Sequence, residues 1–315
     1  MKTTSVYNDA MAIIDRSKQV QTQREITVLL DLSNKVDDTW DVRKLIDKLR
    51  DYRDDIDQEA CIKKMLTRII SNAKTVAKIA EIREVIDKYF INKFQLWTSL
   101  DQKELVLVKD FLSHEHLFQE ILETYWKTTV DEAKDLLFEK AKNFVTDLPL
   151  AKKLFSGCDS HRQEAITLAL PFITSLSDIR FFNKYRLTID QPNNELRQKE
   201  LEIVNKIKND VKDYSEAIVC SEIAIFPESK LGFLSLGADL ANDYFSTYSI
   251  LKRMPEDSEL CEKTLQKLIP LCGSINQTAF IKDHFSAQVE KYGLGSVLDH
   301  REGQIQAKGE NHGTK

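Results

Sequence analysis

Cys158, Asp159 and His161, directly after Gly157, have the residue types of a nucleophilic site. A thiol at the start of a helix can have a lowered pKa and attack as thiolate, with a histidine as base. Catalytic partners more often converge from distant segments, however, and the competing reading is a plain cysteine beside a Ser160 cap. Cys220 is the second thiol on which a cysteine-dependent hydrolase or transferase is conceivable. His114, Glu115, His116 and Glu120 invite a metal reading, yet the string HEHLF is not HExxH. On a helix only His116 and Glu120 share a face, and zinc normally takes three or four protein ligands. His161, His284, His300 and His312 show no matching pairing, so neither a metal nor a cofactor is expected.

Gly232-Phe-Leu-Ser235-Leu-Gly237 is one residue too long for a nucleophile elbow and lacks the Lys-Ser/Thr end of a phosphate loop. It reads as a turn between helices. Tyr244, Phe245 and Tyr248, with Tyr125 and Trp126, are candidates for a partner-binding surface, because aromatic rings are enriched at interface hot spots. The same rings could equally be core.

Those residues must be positioned by helices. The first proline is Pro149 and the first glycine Gly157, so almost half of the chain lacks the residues that break helices or form tight hairpins. Cys61 to Phe90 shows the three-and-four spacing of one helical face through Ile62, Met65, Leu66, Ile69, Ile70, Ala73, Val76 and Ala77. Lys63, Lys64, Arg68, Lys74 and Lys78 fall between. This reads as a bundle helix with solvated lysines; peripheral contact with a membrane is not expected. Residues 7–35 and Trp40 to about Ile56 supply two further long helices, the second capped from Asp37, Asp38 or Thr39.

After Trp97 shorter helices begin near Ser99, Ser113, Thr129, Asp147, Ser160 and Ser177. Asp101 with Glu104, Thr129 with Glu132 and Ser160 with Gln163 fit capping boxes, and Ser113 with His116 is a looser variant. Every second start lies 30, 34, 31 and 30 residues on, the period of an array of helical hairpins. Residues 187–194 break the pattern, and from His300 onward the chain is polar, lacks periodicity and reads as a disordered tail.

Asp213-Tyr214-Ser215-Glu216-Ala217-Ile218, followed by Ala224 and Pro227, resembles the second helix of a tetratricopeptide (TPR) repeat, with Ala217 and Ala224 at its two small positions. Asp131-Glu132-Ala133 through Ala141 to Pro149 is similar to the same helix. Ala141 comes one residue late, Pro227 two residues early, and Asn205 stands where the repeat has a glycine. The resemblance implies stacked hairpins whose surface binds a peptide or a folded protein. Asp-x-x-Glu-Ala openings are also good helix starts in any helical protein.

Hydrophobic content of 42%, charged content of 30% and a formal charge of −5 describe an ordered chain without the basic footprint of a nucleic-acid binder. Five scattered cysteines suit reduced thiols in a cytoplasmic compartment. Neither a signal peptide nor a membrane span is expected, since apolar runs such as Ile166–Ile173 fall far short of the ~20 residues a span needs. The sequence therefore predicts an all-α protein: a long-helix bundle over 1–97, helical-hairpin repeats of TPR-like α-solenoid type over 98–299, and a disordered tail over 300–315. The expected function is non-catalytic binding of a protein partner as adaptor, chaperone or regulator. A bacterial effector delivered to a host cell by a signal-independent machine and a cysteine-dependent enzyme remain the alternatives.

Overall fold

With no proline or glycine to punctuate its first half, the chain must end and restart its helices with side-chain caps. The computed structural model describes residues 6–8, 22–52, 57–89, 96–184, 194–256 and 258–310, and among these every regular element is helical. Asp38 accepts from the Trp40 N–H, Asp57 from Ala60, Thr75 from Lys78 and Asp147 from Leu150. Each opens a helix by taking a donor that has no partner inside it.

The chain forms two compact units, 1–168 and 169–315. The first contains four helix pairs. They are α1 (Thr22–Ser33) with α2 (Thr39–Leu49), α3 (Gln58–Asn72) with α4 (Val76–Lys88), α5 (Leu96–Leu112) with α6 (Phe118–Lys127), and α7 (Asp131–Lys142) with α8 (Leu148–Gly157). First helices pack in sequence, α1 on α3, α3 on α5 and α5 on α7; second helices do the same from α2 to α8. Buried Leu45, Met65, Ile69, Ile82 and Leu100 belong to the core between them. After a 3-10 turn over Asp159–His161, α9 (Arg162–Ala169) ends at the boundary.

The second unit continues with α10 (Leu176–Asn183), α11 (Asn194–Ile207), α12 (Tyr214–Ile223), α13 (Pro227–Leu240), α14 (Tyr244–Leu251), α15 (Glu259–Leu271), α16 (Ile275–His284), α17 (Ser286–Lys291) and α18 (Gly295–Glu310). Here α11 packs on α13, α15 on α18, and α12 on both α10 and α14. Gly237 lets α13 approach its neighbours closely: a Cβ there would meet Ile250 Cδ1 at 2.5 Å and the Ala217 Cβ at 3.1 Å.

Two kinds of side-chain link recur between successive hairpins. Val130 and Phe226, the N-caps of α7 and α13, have no capping side chain of their own. A fully buried glutamate of the preceding hairpin's first helix takes their place. Glu104 accepts from the N–H groups of Thr129 (2.6 Å) and Val130 (2.9 Å). Glu200 accepts from Ile225 (3.1 Å) and Phe226 (3.0 Å). Both stand in the same tetrapeptide, Gln-Lys-Glu-Leu, at 102–105 and 198–201. At the opposite ends, cations hold carbonyls at or just past the C-terminus of the previous first helix: Arg68 on Asn34, Lys103 on Ser71, Lys267 on Ala238 and Arg301 on Cys272. Acid at the positive end and base at the negative end is the arrangement the helix dipole favours.

Several expectations change. The helix expected over 61–90 is two, because Thr75 adopts extended backbone and caps α4 while the apolar spacing runs on across the break through Ala73 and Val76. The boundary expected at 97 falls inside α5, which Arg83 of α4 joins through Glu104 (Nη2–Oε2 3.0 Å) and Asp101 (2.6 Å). Those two acids therefore do not form a capping box. Of the other expected starts, Asp147 caps its helix, Ser99 and Ser177 lie inside helices, and Ser175 caps α10. Residues 300–310 are helical rather than disordered, since Leu298 is buried, Ile305 packs on the core and Arg301 grips Cys272. The expected first helix lies partly, and the break at 187–194 almost wholly, outside the described residues.

Glu104→Ala leaves Arg83 buried with only Asp101, and we expect urea unfolding to show a loss of roughly 3 kcal/mol or more. Glu200→Ala exposes only unpaired N–H groups and should lose about 1–3 kcal/mol. A larger loss at Glu200 would contradict this account. Two exposed caps set a pH limit. The Ser215 hydroxyl and then the Glu216 N–H hold the Asp213 carboxyl below its ordinary range; the Ser246 N–H and hydroxyl do the same for Asp243. A carboxyl lowered in the folded state stabilises it above the unfolded pKa and loses that contribution as pH falls through the folded one. Helical circular dichroism should hold from neutrality down to about pH 4 and decline below it, and Asp213→Asn with Asp243→Asn should flatten the decline.

Candidate functional site

A polar cluster with the residue types of a catalytic site is built in the first unit by α6, α7 and the 3-10 turn before α9. Tyr125, near the end of α6, is buried, yet its hydroxyl needs a partner. It lies 2.9 Å from His161 Nδ1, and His161 Nε2 lies 3.0 Å from Asp135 Oδ1 on α7. The imidazole stacks on Phe138, ring centres 4.3 Å apart at 13°. A neutral ring accepting from the phenol and donating Nε2–H to the carboxylate satisfies all three groups. Lys134 completes the cluster, 3.7 Å from Asp159 and 5.3 Å from the Tyr125 ring centre.

Phenol, imidazole and carboxylate in a row are the parts of an acid–base relay, but this one is closed. Burial, with Cys158 and Asp159 adding to it against Ser160, pushes the Tyr125 phenol up to about 12. Cys158 is fully buried, and burial, reinforced by Asp159, pushes its thiol up to about 12 as well. That is the reverse of the lowered pKa expected for a nucleophile at a helix start. The thiol is fully buried, and His161 faces Tyr125 and Asp135. Burial likewise raises Cys220, with Glu216 adding to it. Tyr125 was expected among partner-binding rings; its burial removes it from that surface.

His116 is engaged locally. Its Nε2 lies 2.7 Å from the Phe111 carbonyl, its Nδ1 3.4 Å from Glu120, and its ring stacks on Phe111 at 3.5 Å. Among the described residues no group of three His, Cys, Asp or Glu side chains is placed to hold a metal ion, and no helix is long and apolar enough to cross a membrane. Gly232 to Gly237 lies inside α13 instead of forming a turn, because Gly237 is the point of close approach to Ile250 and Ala217.

The other predicted rings stand at the surface. Phe245 is 71% exposed and Trp126 62%. Phe245 rests edge-on against half-buried Tyr244 (5.4 Å), which lies parallel to Tyr248 (6.3 Å, 7°). Tyr248 in turn meets Phe280 and Phe285 edge-on at 5.4 and 6.3 Å. The array spans α14 and α16 and leaves Phe245 held on a rigid aromatic base. Sequence reasoning missed Glu104 and Glu200 as partners of the next hairpin; the repeated Gln-Lys-Glu-Leu was the signal available.

Comparison with family models, with curated proteins and with solved structures found no match for this chain. A functional reading therefore rests on the chain's own geometry. If the thiol environments are as described, Cys158 should alkylate with iodoacetamide at neutral pH no faster than the unfolded chain's thiols, as mass spectrometry would show. A Cys158 that reacts faster than a free thiol would restore the enzyme reading.

Proposed function

We propose that the chain is a non-catalytic scaffold that binds a protein partner, acting as adaptor, chaperone or regulator. The observation that carries this reading is Phe245: a large ring, almost three-quarters exposed, edge-on against Tyr244, which itself lies parallel to Tyr248. Rigid aromatic side chains lose little conformational entropy on binding and are over-represented among residues that dominate interface energies. Trp126 offers a second such ring in the first unit.

In this reading the hairpins stack as an α-solenoid of TPR-like type. Its support is the packing of alternate helices, the glutamate and cation links that recur between hairpins, and the contact of Ala217 with Gly237 where the repeat has small residues. Stacks of this kind present extended surfaces to partners. Tyr125, His161 and the exposed Asp135 are directed at one another, and the Cys158 thiol is fully buried, which supports binding over chemistry.

Affinity capture from native lysate by the full chain should retain one stoichiometric protein, and Phe245→Asp should lower its retention roughly thirtyfold while leaving the unfolding transition unchanged. Full retention by Phe245→Asp would move the contact away from this surface. A bait that retains nothing would end the scaffold reading.

A further inference from the structure

A groove in the second unit is formed by different helices from those bearing the aromatic array. Three adjoining depressions make it. One of about 580 Å³ lies between the end of α10 and the α12–α13 turn; it shares Glu222 and Lys230 with a second of about 470 Å³ under α13. The second shares Leu231 with a third of about 620 Å³ that opens between α13 and α15. Leu231 and Leu234 give the groove apolar walls, and Pro227 and Pro255 add rigid ones.

Its charges are unequal. Two of its acids already have partners: Glu222 is held by Arg253 at 3.1 Å and Glu259 by Lys263 at 2.7 Å. Lys267 is engaged by the Ala238 carbonyl. Arg180 and Lys230 are exposed and have no ion-pair partner among the described residues. The groove therefore presents apolar walls with uncompensated positive charge towards its α10 end.

We propose that this groove holds an extended segment of a protein partner that carries acidic residues at the end lying towards α10 and apolar residues along the rest. This rests on the scaffold reading and names the chemistry the scaffold recognises. Carboxylates at one end of the segment meet Arg180 and Lys230, while apolar residues further along it reach Leu231 and Leu234. The acids interspersed along the groove disfavour a phosphate backbone, which needs an unbroken basic track. With no sheet edge to pair with, binding depends on side chains and on charge, and is weakened by salt.

The test is selection of a random-peptide display library on the full chain, then fluorescence anisotropy of synthetic copies of the enriched peptides. We expect enriched sequences with acidic residues at one end and an apolar stretch beside them. Arg180→Glu and Lys230→Glu, both surface changes checked for an unaltered unfolding transition, should each weaken them roughly tenfold or more. Phe245→Asp should leave them unchanged. Neutral or basic enriched peptides, insensitivity to both charge reversals, or single-stranded oligonucleotides outcompeting the peptides would overturn the proposal. Peptides lost with Phe245→Asp but indifferent to Lys230→Glu would refute the groove and keep the scaffold. A chain that retains neither peptide nor lysate protein would refute both.

Discussion

A helix start leaves N–H groups without acceptors, and at two of its joints this chain offers no side chain of its own to meet them. Val130 and Phe226 are apolar caps. The acceptor comes instead from Glu104 and Glu200, each on the first helix of the hairpin before. A carboxylate buried in this way is costly unless every lone pair is met, so the joint tolerates little displacement. Because the glutamate must lie within hydrogen-bond reach of the next helix start, it sets the register between hairpins. The cations act on carbonyls at the C-terminal ends of first helices, where Arg301 and Lys267 tie α18 to α15 and α15 to α13; α13 alone carries both kinds of link among the described residues.

The same demand for satisfied polar groups orients the side chains around the turn before α9. Tyr125, His161 and Asp135 complete one another, and Cys158 is fully buried at the start of the turn that carries His161. His116 spans its own helix-connecting segment. At the surface stand the ring of Phe245 beside Tyr244, and the depressions along α13 with Arg180 and Lys230 at one end.

Much of the architecture is legible in the sequence, because the absence of glycine and proline before Pro149 permits little besides helices. Caps such as Asp38 and Asp147 are legible too, each standing before an apolar-periodic run. The break between α3 and α4 is not, since the apolar spacing continues through Ala73 and Val76 and only the Thr75 backbone departs. Periodicity reports which side of a helix is buried and is silent on whether the axis turns. The site is less legible than the fold. Tyr125 and Trp126 are adjacent and chemically alike, yet one is 1% exposed and the other 62%, because Tyr125 continues the buried side of α6 with Ile121 and Leu122 and Trp126 turns away from it. Asp101 and Glu104 have the spacing of a capping pair and instead converge on Arg83, which nothing local announces.

The links between hairpins join residues 34, 32, 29 and 29 apart. Each closes a loop of about one hairpin, and the entropy of closing a loop grows with its length. Contact order within a run of hairpins is therefore low, and ordering can pass from one hairpin to its neighbour without waiting for the chain ends to meet. In a chain assembled this way each hairpin leans chiefly on its immediate neighbours, so its stability is close to a sum of local terms.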